Sequence, residues 1–201
     1  MEDINHEGIP APLENSAPAE KNSLAGILHF LIDVLETLIL SVVLFVGINA
    51  VTARVRVDGT SMEPTLHNGE LILVNKLAYK FSGPVRGDVI VFYFPRDPEQ
   101  EYIKRLVGLP GDKVRVDNGK MYVNDQLVDE PYIAAAPNYP GEWEVPAGQF
   151  FVLGDNRNNS YDSHNWGTVP GEYVVGKAVF IYWPFERLGL IEHIALAGSA
   201  P

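Results

Sequence analysis

Hydrophobic residues follow two regimes along this chain. Over 24–53 they run almost unbroken, "LAGILHFLIDVLETLILSVVLFVGINAVTA", and the only ionisable members, His29, Asp33 and Glu36, lie in the first half. Spacings of four and three residues put those three on one face of a helix. No charge occurs over 37–51. About 20 apolar residues cross roughly 30 Å of hydrocarbon, so the pattern predicts a helix that enters through the interface on its polar face and then spans the bilayer. A buried amphipathic helix would keep a polar stripe throughout, whereas 38–48 is apolar all round apart from Ser41 and Gly47. Val51 and Ala53 offer small residues flanking a signal-peptide cut before Arg54, but the stretch before the apolar run is long and acidic, unlike a signal peptide's basic start. A retained anchor over 24–53 is expected.

After Ala53 the period shortens to that of strands. "ARVRVDG", "ELILVNKLAYKF", "GDVIVFYF", "EYIKRLVG", "KVRVDNGKMYVNDQLV", "QFFVLGD" and "KAVFIYWPF" are β-branched or aromatic runs separated by Gly, Pro, Asn and Asp. They predict a mainly β domain over 54–201. Asn118-Gly119 between alternating runs is a hairpin signal. "DEPYIAAAPNYPGEWEVPAG" carries prolines and no period and reads as a loop-rich excursion. Residues 1–23, rich in Pro, Glu, Asn and Ala, have too little apolar surface to offset the entropy of ordering and read as a disordered tail. No repeat of 20 to 50 residues is present, which removes solenoids and propellers.

Charge and composition prune the function. The net charge of −11 and pI near 4.8 leave no basic patch for nucleic acid. Absence of cysteine removes disulfides, thiolate nucleophiles and Cys-ligated zinc. Orientation is not fixed by charge: Lys21 precedes the apolar run and Arg54 and Arg56 follow it, a weak bias against an outside C-terminal domain.

Three stretches carry candidate chemistry. "DGTSMEPTLHNGE", 58–70, presents Ser61 outside any Gly-x-Ser-x-Gly elbow. A serine hydroxyl needs a base to take its proton. His6 falls in the tail, His29 in the anchor and His193 in the C-terminal tail, leaving His67 and His164; a triad of His164 with Asp155 or Asp162 is one possibility. The other is a lysine kept neutral by desolvation. On an extended strand Lys104 shares a face with Tyr102 and Leu106, opposite Ile103, Arg105 and Val107, an apolar setting for an amine; a solvated strand lysine is the plain alternative. "GDNRNNSYDSHNWG", 154–167, is not a calcium loop, because Arg157 and Trp166 fall at ligand positions. Its Asp155, Arg157, Ser160 and Asp162 suit a hydrogen-bonded, ion-paired network, or a bare turn-rich loop.

"GTSMEPTL", "RGDVIVF", "YIKRLVGLPGD" and "GDNRNNSYDS", in this order behind an apolar segment, resemble the signature boxes of the bacterial type I signal peptidases, from the membrane segment to about Trp183. The resemblance implies a coiled antiparallel β-sheet catalytic domain with a smaller β-ribbon insertion over about 113–148, preceded by one transmembrane helix. It implies Ser61 as nucleophile, Lys104 as general base, Ser160 as the residue orienting that lysine, and Asp155, Arg157 and Asp162 as supports. Met62, Leu66, Tyr102 and Ile103 would line pockets for small residues in the Ala-x-Ala manner. The expected partners are signal-peptide-bearing preproteins and the lipid bilayer, with no nucleic acid, metal or cofactor, and the β domain on the outer face of the cytoplasmic membrane. Two positions depart from the pattern. Gly59 stands where some members carry a serine donating to the oxyanion, so the Ser61 N–H and a neighbouring amide such as that of Gly59 are expected to serve. His164 stands where an arginine is usual, which predicts a pH-sensitive site. A Ser-Lys autopeptidase and a membrane-tethered binding module without catalysis are the alternative functions.

Overall fold

The computed structural model describes residues 23–194. The tail reading for 1–22, with His6, lies outside the described residues. Helix α1, Ser23–Val51, covers the apolar run. At about 1.5 Å per residue it is long enough to cross a bilayer. Two of its hydroxyls are satisfied within the helix: Thr37 Oγ1 donates to the Asp33 carbonyl at 2.8 Å and Ser41 Oγ to the Thr37 carbonyl at 2.7 Å.

The chain divides into two compact units at Val46/Gly47. In the second, one antiparallel sheet is built from β1 (Thr52–Arg56), β2 (Leu71–Asn75), β3 (Val89–Phe94), β4 (Asp97–Gly108), β9 (Gln149–Leu153), β10 (Val169–Pro170) and β11 (Val174–Trp183), in the order β1-β2-β11-β3-β4-β9-β10, with β12 (Gly189–Leu190) on β11. A smaller sheet has the order β7-β6-β5-β8, from β5 (Lys113–Asp117), β6 (Lys120–Val123), β7 (Gln126–Leu127) and β8 (Gly141–Glu144). The hairpin expected at Asn118-Gly119 joins β5 to β6, both turn residues having positive φ, 49° and 72°. Strand β8 falls inside the stretch expected to be loop. Its four residues lie between Pro140 and Pro146 and alternate outward, so they carry no apolar run, yet they pair with β5 from Lys113↔Glu144 to Val116↔Gly141.

The large sheet is covered on both faces, which is why "VIVF" is continuously apolar. Val89 and Val91 join Val57, Met62, Leu66, Ile72, Ile103 and Ile181 in one core, while Ile90 and Phe92 pack with Phe94, Leu106, Val152 and Trp166 in another. A third core joins Val107, Phe151 and Leu153 to the small sheet through Val114, Met121 and Val145.

Arg105 lies on the strand face between Ile103 and Val107, where the first and third cores meet, and is fully buried. Its Nε and Nη2 each donate to Asp155 at 2.8 Å, its Nη1 donates to the Gly87 carbonyl at 2.8 Å, and its guanidinium stacks 4.1 Å from the Tyr132 ring. His193, assigned above to a C-terminal tail, packs here too. Its Nδ1 accepts from the Val89 N–H at 3.2 Å, and burial, helped by Lys177, pushes the imidazole down to about 4, so it is neutral. Removing one partner of a buried, bidentate pair strands the other charge: Asp155→Ala is expected to destabilise the β unit by about 3–5 kcal/mol in chemical denaturation.

Candidate active site

Ser61 sits in the turn that follows β1. Gly59 makes that turn possible with φ of +88°, and its N–H donates to Asn68 Oδ1 at 2.9 Å. Lys104 projects from β4, opposite Ile90 on β3. The two side chains, 43 positions apart in sequence, meet: Lys104 Nζ lies 2.7 Å from Ser61 Oγ. The amine also donates to the Ile103 carbonyl at 3.1 Å and is 5.4 Å from the centre of the Tyr102 ring. Lys104 is 5% exposed. Burial lowers its pKa to about 8, against the pull of Asp162 first and Asp155 second, both of which favour the protonated form. No imidazole is bonded to Ser61 among the described residues. His67 lies 3.7 Å from Glu63, and His164 is engaged by Asp162.

The loop after β9 supports the serine from behind. Asn156 N donates to the Ser61 carbonyl at 3.0 Å, Asn156 Nδ2 to the Thr60 carbonyl at 3.1 Å, and Asn159 Nδ2 to Thr60 Oγ1 at 2.9 Å. Gly154 lies so close that a Cβ there would stand 2.4 Å from the Ser61 carbonyl and 2.2 Å from Ser160 Oγ. Each expected support has a distinct partner. Asp155 holds Arg105 and accepts from Thr65 Oγ1 at 2.5 Å. Arg157 pairs with Glu130 and donates to the Tyr132 hydroxyl at 3.2 Å. Asp162 accepts from Gly154 N at 2.9 Å and caps the short helix α2, Ser163–Trp166.

Several expectations are corrected. Met62 and Leu66 are 1% and 0% exposed, in the closed core with Val57 and Ile72, and do not line the cleft beside the dyad. Tyr102 and Ile103 do line it, with Val55, Arg56, Asp58, Gln100, Glu101 and Tyr161; its volume is about 500 Å³. The turn after Ser61 rolls its apolar residues inward onto β2, which turns Met62 and Leu66 away from the solvent side. The Ser160 hydroxyl, expected on Lys104, is buried against Gly154 with no hydrogen-bond partner among the described residues. The Ile103 carbonyl takes the lysine's second bond instead. The Gly59 N–H is taken by Asn68, so it is not an oxyanion donor, whereas the Ser61 N–H is bonded to nothing among the described residues.

Sequence reasoning missed Thr65, Glu130, Tyr132 and Asn156. The density of Asn over 154–165 did signal a hydrogen-bonded loop, but no local pattern marks the excursion's Glu130 and Tyr132 as its anchors.

Comparison with known proteins bears on this arrangement. Residues 31–183 match the family described as "Signal peptidase, peptidase S26". The chain is 45% identical over 164 residues to a probable signal peptidase I-2 of Synechocystis sp., covering 78% of this chain and 75% of that one. It is 45% identical over 168 residues to a signal peptidase I of Leptolyngbya laminosa, covering 79% and 83%, and 42% identical over 147 residues to a signal peptidase I of Bacillus caldolyticus, covering 65% and 79%.

Two outcomes follow from the geometry. A Cβ at Gly154 would press on backbone that cannot yield, so Gly154→Ala is expected to displace the serine turn and cost about a hundredfold in turnover, read in any assay of the hydroxyl's reactivity. The second concerns Lys104, whose folded pKa of about 8 lies below its ordinary 10.5. Between those values the unfolded chain holds the extra proton, so burial of the lysine costs stability at neutral pH and the cost fades as pH rises through that window. Lys104→Met should raise the melting temperature at pH 7 and remove this rise.

Proposed function

The chain belongs to the signal peptidase, peptidase S26, family and removes signal peptides; from that premise we propose that Ser61 and Lys104 form a nucleophile–base dyad cutting preproteins after small-x-small sites. The contact of 2.7 Å between the Ser61 hydroxyl and a desolvated amine at the end of an open cleft carries this reading.

The chemistry follows from the groups in place. Neutral Lys104 accepts the Ser61 proton as Oγ attacks the scissile carbonyl, and the Ser61 N–H faces the developing oxyanion. The Lys104 ammonium then gives its proton to the departing amine, the new N-terminus of the mature protein, leaving the signal peptide as an ester on Ser61. Neutral again, Lys104 takes a proton from water as the water oxygen attacks the ester and returns it to the departing Ser61 Oγ; the signal peptide is released as an acid that loses its proton to solvent.

The cleft suits an extended peptide. Strand β1 pairs only with β2, and β4 pairs with β9 only from Arg105 onward, so both present unpaired backbone edges, and residues of both line the cleft. A substrate strand laid on such an edge is held by main-chain hydrogen bonds. Tyr102 and Ile103 would then face its small residues. Helix α1 is assigned as the membrane anchor, 1–23 as a tail and 54–201 as the peptidase domain. That domain is assigned to the outer face of the membrane, where a translocated cut site emerges, against the weak charge bias of Arg54 and Arg56.

Ser61→Ala and Lys104→Ala, as detergent-solubilised full chains, should each abolish cleavage of a labelled peptide with a small-x-small site and of a secretory preprotein. The acid limb of kcat/KM in the unmodified chain should be centred near pH 8. Activity kept in Lys104→Ala and lost in His164→Ala would overturn the dyad in favour of a histidine-dependent site.

A further inference from the structure

His164 touches neither Ser61 nor Lys104, yet the carboxylate it bonds holds the backbone under Ser61 and acts through space on the charge of Lys104. Asp162 is fully buried. Its Oδ2 accepts from Gly154 N at 2.9 Å, and Gly154 packs directly under Ser61. Its Oδ1 receives the His164 backbone N–H at 3.2 Å and the His164 ring Nδ1 at 2.7 Å. A carboxylate can only accept, so Nδ1 carries a hydrogen. The imidazole in turn lies flat against the Tyr139 ring, with centroids 4.0 Å apart and planes 8° from parallel.

Tyr139 comes from the proline-rich excursion, and that segment is pinned to the loop after β9. Asn138 N donates to Asn158 Oδ1 at 2.9 Å, and Asn158 Nδ2 donates to the Ala136 carbonyl at 3.0 Å. The Tyr139 hydroxyl is buried and has no hydrogen-bond partner among the described residues, so it is the ring that makes the contact. The charged groups around the imidazole are Asp162 from its own loop and, acting on Tyr139 from behind, Arg157 and Glu130, which neutralise one another as an ion pair.

We propose that His164 is a positioning residue of the catalytic base: clamped by Tyr139, it draws on the charge of Asp162 and so governs how readily Lys104 gives up its proton. This rests on the reading of Lys104 as general base. Asp162 is the charge that most strongly holds Lys104 in its protonated form. A donor fixed on Asp162 offsets that field at the lysine, and loosening the donor restores it. The stack with Tyr139 fixes the donor's direction, which makes a contact in the excursion part of the tuning of an amine on β4.

The test is kcat/KM against pH for a labelled small-x-small peptide, with full-length variants in detergent. In His164→Ala the acid limb should move to higher pH by about one unit, which is about tenfold less activity at pH 7. His164→Arg places a full positive charge on Asp162 and should move the limb to lower pH. Tyr139→Ala should shift it in the same direction as His164→Ala, by less, and Tyr139→Phe, which keeps the ring, should superimpose on the unmodified chain. An acid limb that stays put in both His164→Arg and Tyr139→Ala, with circular dichroism showing them folded, would overturn the proposal. Lys104→Ala in the same assay separates the two readings: activity there removes the base itself, whereas inactivity there with an unmoved limb removes only the role of His164.

Discussion

The buried pair between Arg105 and Asp155 is the interaction from which the rest of the site is organised. It joins three segments: strand β4, which carries Lys104; the loop after β9, which supports Ser61; and Thr65 in the serine's own turn, whose hydroxyl bonds the same carboxylate. Two fully buried charges pay heavily in desolvation, and such a pair is retained when its geometry is bidentate and its remaining valences are filled. Both conditions hold, with the Gly87 carbonyl and the Tyr132 ring completing the guanidinium's surroundings. The stability gained is secondary to registration, since the pair fixes where β4 lies relative to the loop and therefore where an amine one residue earlier meets a hydroxyl.

Lys104 and Arg105 show how strand alternation gives neighbours opposite electrostatic fates. Consecutive side chains point to opposite faces. Arg105 meets a carboxylate at 2.8 Å and stays charged at the join of two cores. Lys104 meets a hydroxyl and a carbonyl but no carboxylate in contact, so desolvation outweighs the more distant Asp162 and Asp155 and brings the amine to about 8. Exchanging their partners would destroy both functions: an ion-paired lysine would hold its proton, and an unpaired buried guanidinium could not release one.

The alternation over 102–107, the Asn-Gly hairpin and the antiparallel β domain could all be read from sequence, because each depends on spacing within a few residues. The meeting of Ser61 and Lys104 could not be derived from spacing, since their separation of 43 positions is closed by sheet register; the family resemblance supplied it. Met62 and Leu66 misled for the same kind of reason. Nothing local distinguishes a pocket wall from a core residue, and only the path of the turn over β2 decides it. His193 was similarly invisible as a packed group, because its partner is the Val89 amide 104 positions away. The Gly59 amide illustrates the opposite case: its commitment to Asn68, nine residues on, is local, but a side-chain acceptor for a turn amide has no periodic signature.

Lys104, proposed here as the base, stands in a chain of net charge −11, where every carboxylate within range favours the ammonium. The structure answers this by how its nearby carboxylates are occupied rather than by excluding them. Asp155 is saturated by a guanidinium and a hydroxyl, and Asp162 by two backbone amides and an imidazole. Glu130, from the proline-rich excursion, is consumed by Arg157 and the Tyr132 hydroxyl. Each acid is close enough to build the loop's hydrogen-bond scaffold and sufficiently engaged to leave desolvation as the largest influence on the amine. The polar density of 154–165 thus serves two ends that oppose one another, holding Ser61 rigidly while limiting the pull of negative charge on Lys104, and both are met because Asp155 and Asp162, the two acids that act on the amine, each come with their own donors.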